Sequence, residues 1–182
     1  MGTPKHVVES EFLALRYKRG DTSALERLVA LWERPLFFFV RRIVAREEDA
    51  WDVLQEVWIR VVGNIRRLRD PHHVVSWLYT IARNTAISHN RHAPREESFE
   101  DLPEPGDVAC LPVLPNEKAE VVRRALDTLP LPQREALTLF FLEGFTIEEI
   151  AQIVEAPAGT VKSRLYYGKK ALYETMRTGD QP

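Results

Sequence analysis

Residues 94–119 constrain the chain most. They hold Pro94, Pro103, Pro105, Pro112 and Pro115, five of the twelve prolines, and 7 acidic against 2 basic side chains, net −5. No period of 3.6 or 2 runs through them. A stretch that neither repeats like a helix nor alternates like a strand, and that repels itself, reads as an acidic, Pro-rich linker. The 182 residues are therefore expected to form two small domains of roughly 90 and 60 residues, 1–93 and 120–182, and not one continuous core. All four tryptophans, Trp32, Trp51, Trp58 and Trp77, precede the linker.

The linker also explains the charge. The total is −2, which argues against a nucleic-acid partner only if charge is uniform. Residues 1–93 carry 15 basic and 11 acidic side chains, net +4, and residues 120–182 carry 8 and 9, net −1. Within the latter, residues 160–177 hold Lys162, Arg164, Lys169, Lys170 and Arg177 against Glu174, a local net of +4. Cys110 is the only cysteine, which excludes a disulfide scaffold. The longest apolar stretches, such as Leu36-Phe37-Phe38-Phe39-Val40, fall far short of the roughly 18 residues that cross a bilayer. With no apolar signal-peptide core at the N-terminus, the expectation is a soluble protein of a reducing cytoplasm, without a membrane partner.

Both sides of the linker carry helical spacing, and no alternating run is present, so the expected fold class is all-α. Trp51, Leu54, Trp58, Val61 and Val62 recur at i, i+3, i+7, i+10 and i+11. Val74, Trp77, Leu78 and Ile81 repeat i, i+3, i+4, i+7, as do Leu25, Leu28, Val29 and Trp32 after the break and N-cap at Gly20-Asp21-Thr22-Ser23. After the linker, Val122, Ala125, Leu126 and Leu129 mark a helix ending at Leu129-Pro130.

The stretch from Pro132 to Met176 is the most informative. A helix over Gln133 to Glu143 is expected to end at Gly144, suited to a left-handed C-cap. Thr146-Ile147-Glu148-Glu149 is a Thr-x-x-Glu capping box that opens a second helix, with Ile147, Ile150, Ala151 and Val154 inward. That helix breaks at Glu155-Ala156-Pro157, and proline suits the first turn of the next. In the third helix Val161, Leu165, Gly168 and Leu172 form the inward stripe, leaving Thr160, Lys162, Ser163, Arg164, Tyr166, Tyr167, Lys169 and Lys170 outward. A short helix, a tight turn and a basic helix with hydroxyl and amine donors near its start match a DNA-reading helix-turn-helix. A helical hairpin with a solvated basic face is the alternative on periodicity alone.

These residues carry a resemblance. Glu143-Gly144-Phe145-Thr146-Ile147-Glu148-Glu149-Ile150-Ala151, continued by Gly159-Thr160-Val161-Lys162-Ser163-Arg164-Leu165, resembles the promoter-reading C-terminal domain of sigma-70-family initiation factors. Asp52-Val53-Leu54-Gln55-Glu56-Val57-Trp58 resembles the family's core-polymerase-binding helix, and Trp77-Leu78-Tyr79-Thr80-Ile81-Ala82-Arg83-Asn84-Thr85-Ala86 its promoter-melting helix. Two such domains and a short linker resemble the extracytoplasmic-function (ECF) sigma factors.

The resemblance implies core RNA polymerase and promoter DNA as partners. Asp52, Gln55 and Glu56 would dock on the coiled coil of the polymerase's largest subunit, an acidic and amide-bearing patch suiting a basic partner. Asn84, with Ser88-His89-Asn90-Arg91-His92, falls where the family captures an unstacked base of the minus-ten element. Holding a melted strand needs stacking surfaces, amides and cations, which Tyr79, Arg83, Asn84 and Arg91 supply; Trp77 is expected in the core. Thr160, Lys162, Ser163, Arg164, Tyr166 and Lys169 would read the minus-thirty-five element. The linker would thread towards the polymerase's RNA exit path. An anti-sigma protein is a partner common in the family.

Three positions depart from the pattern or stand out. The family often has a basic residue and an alanine where Tyr167 and Gly168 stand; the glycine costs roughly 1 kcal/mol of helix propensity and suits a close helix contact. Pro157 takes a position where a serine-like N-cap is common. In Phe37-Phe38-Phe39, one or two rings are expected to face outward.

Two other classes account for parts of the sequence. For an enzyme, His72-His73 and His89-x-x-His92 are the only histidine pairs, without a clean third and fourth metal ligand. No Gly-rich phosphate loop or nucleophile elbow is present, and Cys110 has no activating neighbour. No cofactor, no metal and no catalytic residue is expected. A helix-turn-helix regulator that never touches polymerase would explain residues 120–177 but leave Asp52, Gln55, Glu56 and the Trp77–Asn84 helix without a role.

Overall fold

A computed structural model describes residues 6–90 and 125–178. The linker with Cys110, together with Arg91, His92 and Val122, lies outside them. The first helix is α1 (Val7–Lys18). It is followed by α2 (Ser23–Arg41), α3 (Glu47–Asn64), two single 3₁₀ turns (Ile65–Arg67 and Pro71–His73) and α4 (Val74–Asn90). Then come α5 (Leu131–Leu137), which continues as a π-helical turn over Thr138–Leu142, α6 (Ile147–Ile153) and α7 (Ala158–Thr178). No strand occurs among the described residues, so the all-α expectation holds. Two compact units result, the first containing α1–α4 and the second α5, most of α6 and α7.

The first unit forms because α2, α3 and α4 each bury one stripe. In α2 these are Ala24, Leu28, Trp32, Leu36, Phe39 and Val40, with Pro35 accommodated inside the helix. At the expected break and cap, Asp21 Oδ1 accepts from Ser23 N at 3.0 Å and from the Ser23 hydroxyl at 2.6 Å; the hydroxyl bond first, then Arg16 and the Ser23 amide, lowers the Asp21 pKa. In α3 the buried stripe is Ala50, Val53, Leu54, Val57 and Val61. The stripe expected from Trp51 to Val62 is displaced: only Leu54 and Val61 belong to it, while Trp51 and Val62 are each 45% exposed. In α4 the stripe is Val75, Leu78, Tyr79, Ala82 and Ala86, joined by Val74. Small Ala50, Ala82 and Ala86 let the helix axes approach, which the bulkier competing frame would prevent.

Helix α1 closes this bundle with Leu13, Ala14 and Tyr17. Trp32 Nε1 donates to Ser10 Oγ at 2.8 Å, and Ser10 Oγ donates to His6 O at 2.7 Å, so the buried indole N–H is satisfied. Glu11 reaches the second 3₁₀ turn, 2.9 Å from His72 Nδ1. That hydrogen bond, then its charge, with Asp70 adding to both, raises the His72 pKa above the ordinary histidine value. A raised folded-state value stabilises fully below the unfolded-state one and fades as pH climbs through the folded one. The melting deficit of His72→Gln is therefore expected to be largest near about pH 5.5 and to vanish by about pH 8.5. A deficit that grows with pH would contradict the assignment.

In the second unit, α5 packs on α7. Arg134 joins α5 to the preceding helix end, donating to the Asp127 and Leu129 carbonyls at 2.9 Å each. Gly144 takes φ 78, the left-handed cap expected of it, and Phe145 N bonds back to Leu139 O at 3.0 Å. The capping box forms in both directions: Glu149 N donates to Thr146 Oγ1 at 3.2 Å and Thr146 N to Glu149 Oε2 at 2.8 Å. Of the stripe expected on α6, Ile150 and Val154 are buried together with Ile153, whereas Ile147 and Ala151 are half-buried. The turn to α7 passes through Glu155 at φ 52, and Val161 N bonds to Pro157 O at 3.1 Å, so Pro157 sits at the N-cap. Val161, Leu165, Gly168 and Leu172 are all buried, as their spacing predicts.

Candidate nucleic-acid interface

Because α3 turns Val53, Leu54 and Val57 inward, Asp52, Gln55 and Glu56 are all exposed on one outer face. Trp51 and Ile59, the latter 72% exposed, stand beside them. Glu56 Oε1 accepts from Arg60 Nε at 3.0 Å, an i, i+4 pair on the surface. Trp51 stacks on Phe37 of α2, ring centroids 4.1 Å apart. Of the Phe37-Phe38-Phe39 run, Phe39 is buried, Phe38 is 51% exposed and Phe37 lies between. The expectation of one or two outward rings is met, and the patch adjoins the acidic face.

On α4 two expectations reverse. Tyr79, expected to help hold DNA, is fully buried, its ring 6.0 Å from that of Trp32 and 5.1 Å from that of Phe39. It is a core residue and cannot offer a stacking surface. Trp77, expected in the core, is half-buried and lines a cavity. Side chains two residues apart on a helix point about 200° apart, so exchanging frames exchanges their roles.

The cavity, about 570 Å³, opens between the end of α3, the 3₁₀ segment and α4. Arg60, Asn64, Arg67, Leu68, Arg69, Trp77, Thr80, Ile81 and Asn84 line it. Asn64 Nδ2 donates to Arg60 O at 2.8 Å, which leaves its amide oxygen to accept. Arg67, Arg69 and Asn84 are exposed. The lining thus combines an indole, two amides and three guanidinium groups, the chemistry that stacks, reads and neutralises a single nucleotide. Asn84 stands in this lining. Arg83 is half-buried on the same helix outside it, and Arg91 lies outside the described residues. Arg60, Asn64, Arg67, Arg69 and Thr80 went unnoticed in the sequence. The signal available was the basic run Arg66-Arg67-Leu68-Arg69 before Asp70-Pro71, a loop with clustered cations.

In the second unit the buried stripe of α7 turns Lys162, Tyr166 and Lys170 fully outward, with Thr160, Ser163, Arg164, Tyr167 and Lys169 at the flanks of that face. Ser163 Oγ donates to Gly159 O at 3.1 Å, so its oxygen remains an acceptor towards solvent. The Tyr166 and Tyr167 rings meet edge to face at 5.2 Å. Lys162 and Arg164 stand on the first turns after the Pro157 cap, where a groove-bound helix meets base edges.

Both units match a known family. Residues 28–96 match the family "Sigma-70 region 2" and residues 119–172 match "Sigma-70, region 4". The RNA polymerase sigma-H factor of Pseudomonas aeruginosa is 30% identical over 93% of this chain and 94% of its own length. The ECF RNA polymerase sigma-E factor of Escherichia coli K12 is 32% identical over 89% and 91%. A solved structure with the same fold is that of the sigma factor RpoE of Bartonella quintana, in complex with the anti-sigma factor NepR. It has a TM-score of 0.67 at 24% identity, over 86% of this chain and 98% of that one. No described helix is long and apolar enough to cross a membrane. With both regions present in order and relatives at this identity spanning nearly the full length, the chain belongs to the sigma-70 family, among its extracytoplasmic-function RNA polymerase sigma factors.

Proposed function

We propose that the chain directs core RNA polymerase to specific promoters by dividing three tasks between its units. Asp52, Gln55 and Glu56, with Ile59 and Trp51 beside them, bind the polymerase. The cavity of Arg67, Arg69, Trp77 and Asn84, flanked by Arg83, takes a base from the melted minus-ten strand. Thr160, Lys162, Ser163, Arg164, Tyr166 and Lys169 read the minus-thirty-five duplex. The cavity is the observation that carries this reading, because a regulator that only grips duplex DNA has no use for a nucleotide-sized, arginine-rimmed pocket lined by a half-buried tryptophan. In this proposal residues 1–93 and 120–182 are the working domains and 94–119 joins them. The polymerase supplies the chemistry, so the chain is not itself an enzyme, and it acts in the cytoplasm. An anti-sigma protein is a further partner, a reading supported by the Bartonella neighbour having been solved with one.

Run-off transcription with core enzyme and a library of host promoters tests the proposal. Transcripts that require the chain are expected, and Gln55→Ala with Glu56→Ala should abolish most of them while lowering co-purification with core enzyme. Arg164→Ala should relax minus-thirty-five discrimination by about 1–3 kcal/mol per contacted base. If no host promoter yields a transcript that depends on the chain, the proposal fails.

A further inference from the structure

Helix α1 precedes the stretch matching region 2, which begins at residue 28, and none of its side chains lines the cavity. It nevertheless touches, in three places, the segment that supplies Arg67, Leu68 and Arg69 to the cavity wall. Lys18 Nζ donates to the Leu68 carbonyl at 2.5 Å, across 50 residues of sequence. The Arg66 guanidinium lies over the Tyr17 ring, 5.6 Å from its centroid. Glu11 meets His72 at 2.9 Å. Glu11 and Lys18 are seven residues apart and so share one face of α1.

The wall they touch, residues 65–73, consists of two 3₁₀ turns joined by Leu68-Arg69-Asp70, and Ile65 alone among these residues is buried. A segment with so little buried apolar surface has low local stability unless it is tied down. Leu68 sits between Arg67 and Arg69. Because peptide groups are planar, fixing the Leu68 carbonyl fixes the plane from which the Arg69 side chain departs. On the other side the Arg67–Leu68 peptide is held by Leu68 N, which donates to Ile65 O at 3.2 Å.

We propose that Lys18 is a positioning residue for single-strand recognition: α1 clamps the Leu68 peptide so that Arg67 and Arg69 stand at a set height over the cavity. Tyr17 with Arg66 and Glu11 with His72 steady the two ends of the segment. The inference rests on reading the cavity as the single-strand site, and it assigns the shape of that site to a helix outside it. A reading loop needs such support, because a binding group displaced by a fraction of an ångström loses both affinity and selectivity.

The test uses holoenzyme reconstituted from the full chain and core RNA polymerase, titrated with short fluorescent DNA homopolymers, one for each base. Lys18→Met keeps the aliphatic stem and removes the donor. It is expected to weaken the tightest homopolymer about fivefold to tenfold and to narrow the spread among bases. Lys18→Arg should restore most of both. Amide exchange in residues 65–73 should quicken in Lys18→Met and stay unchanged in α2 and α3. If Arg67→Ala weakens binding but Lys18→Met does not, the positioning role is overturned and the cavity reading stands. If neither substitution matters, the cavity reading falls and the inference with it. Uniformly faster exchange across α1–α4, with equal weakening for every base, would make Lys18 merely structural and overturn the proposal.

Discussion

Tyr79→Ala is expected to destabilise the first unit severely, whereas Trp77→Ala leaves its stability nearly unchanged and costs it single-strand binding. Tyr79 is completely buried between Trp32 and Phe39. Truncating such a ring removes its transfer energy and leaves a cavity that helices held by other contacts cannot collapse, about 3–5 kcal/mol in total. Small domains hold only about 5–15 kcal/mol, so the urea midpoint should fall by at least about a fifth of its value, read by far-ultraviolet circular dichroism. Trp77 lies half-buried on the cavity. Its loss should change the midpoint little and weaken a single-stranded probe by about 1–3 kcal/mol, the worth of one stacked base. Parental stability in Tyr79→Ala would show that the helix frame is wrong. Unchanged probe binding in Trp77→Ala would remove the cavity from the DNA site.

The second large effect is expected at Gly168. A β-carbon there would come 3.0 Å from Leu137 Cδ1, 3.1 Å from Gln133 Cβ and 3.3 Å from Leu137 Cγ. Helices α5 and α7 thus approach through the missing side chain. Two terms oppose in Gly168→Ala. Helix propensity improves by roughly 1 kcal/mol, while overpacking costs about 1–3 kcal/mol. Gln133 Cβ is fixed to the backbone of α5 and cannot turn away, so the repulsive term wins by a small margin. Gly168→Leu gains nearly the same helix propensity but must fit a whole isobutyl group against Leu137 and Gln133, and it should lose about 3 kcal/mol or more, opening the α5–α7 contact. The expected result is near-parental thermal stability for the alanine variant and a melted second unit for the leucine variant, with minus-thirty-five duplex binding lost in parallel. A leucine variant that melts like the parent chain would refute the close approach.

These two positions also show what could be read from the chain in advance. Gly168 on the inward stripe of α7, the cap at Gly144 and the Thr146–Glu149 box were legible because each depends on local geometry that a few residues determine. The frames of α3 and α4 were not. The sets Val74-Trp77-Leu78-Ile81 and Val75-Leu78-Tyr79-Ala82 have the same spacing, and the first has the heavier side chains. The fold takes the second because α4 packs against both α2 and α3, and alanines let it come close. Likewise Ala50 and Val53 displace Trp51 and Trp58 from the core of α3. Asp52, Gln55 and Glu56 kept their exposed face, since charged and amide groups are excluded from the interior whichever frame is chosen. The cavity wall stayed hidden because it is made by bringing residues 60–69 against 77–84, a tertiary event with no periodicity to announce it.

The bond from Lys18 to the Leu68 carbonyl has an evolutionary corollary. Letters and posture of the reading loop are inherited from places 50 residues apart. A recombination breakpoint anywhere in α2 or α3 would separate them, handing a loop from one parent to a support from another. Exchanging residues 64–73 alone between relatives should therefore transplant preference imperfectly, and exchanging them together with α1 should transplant it whole.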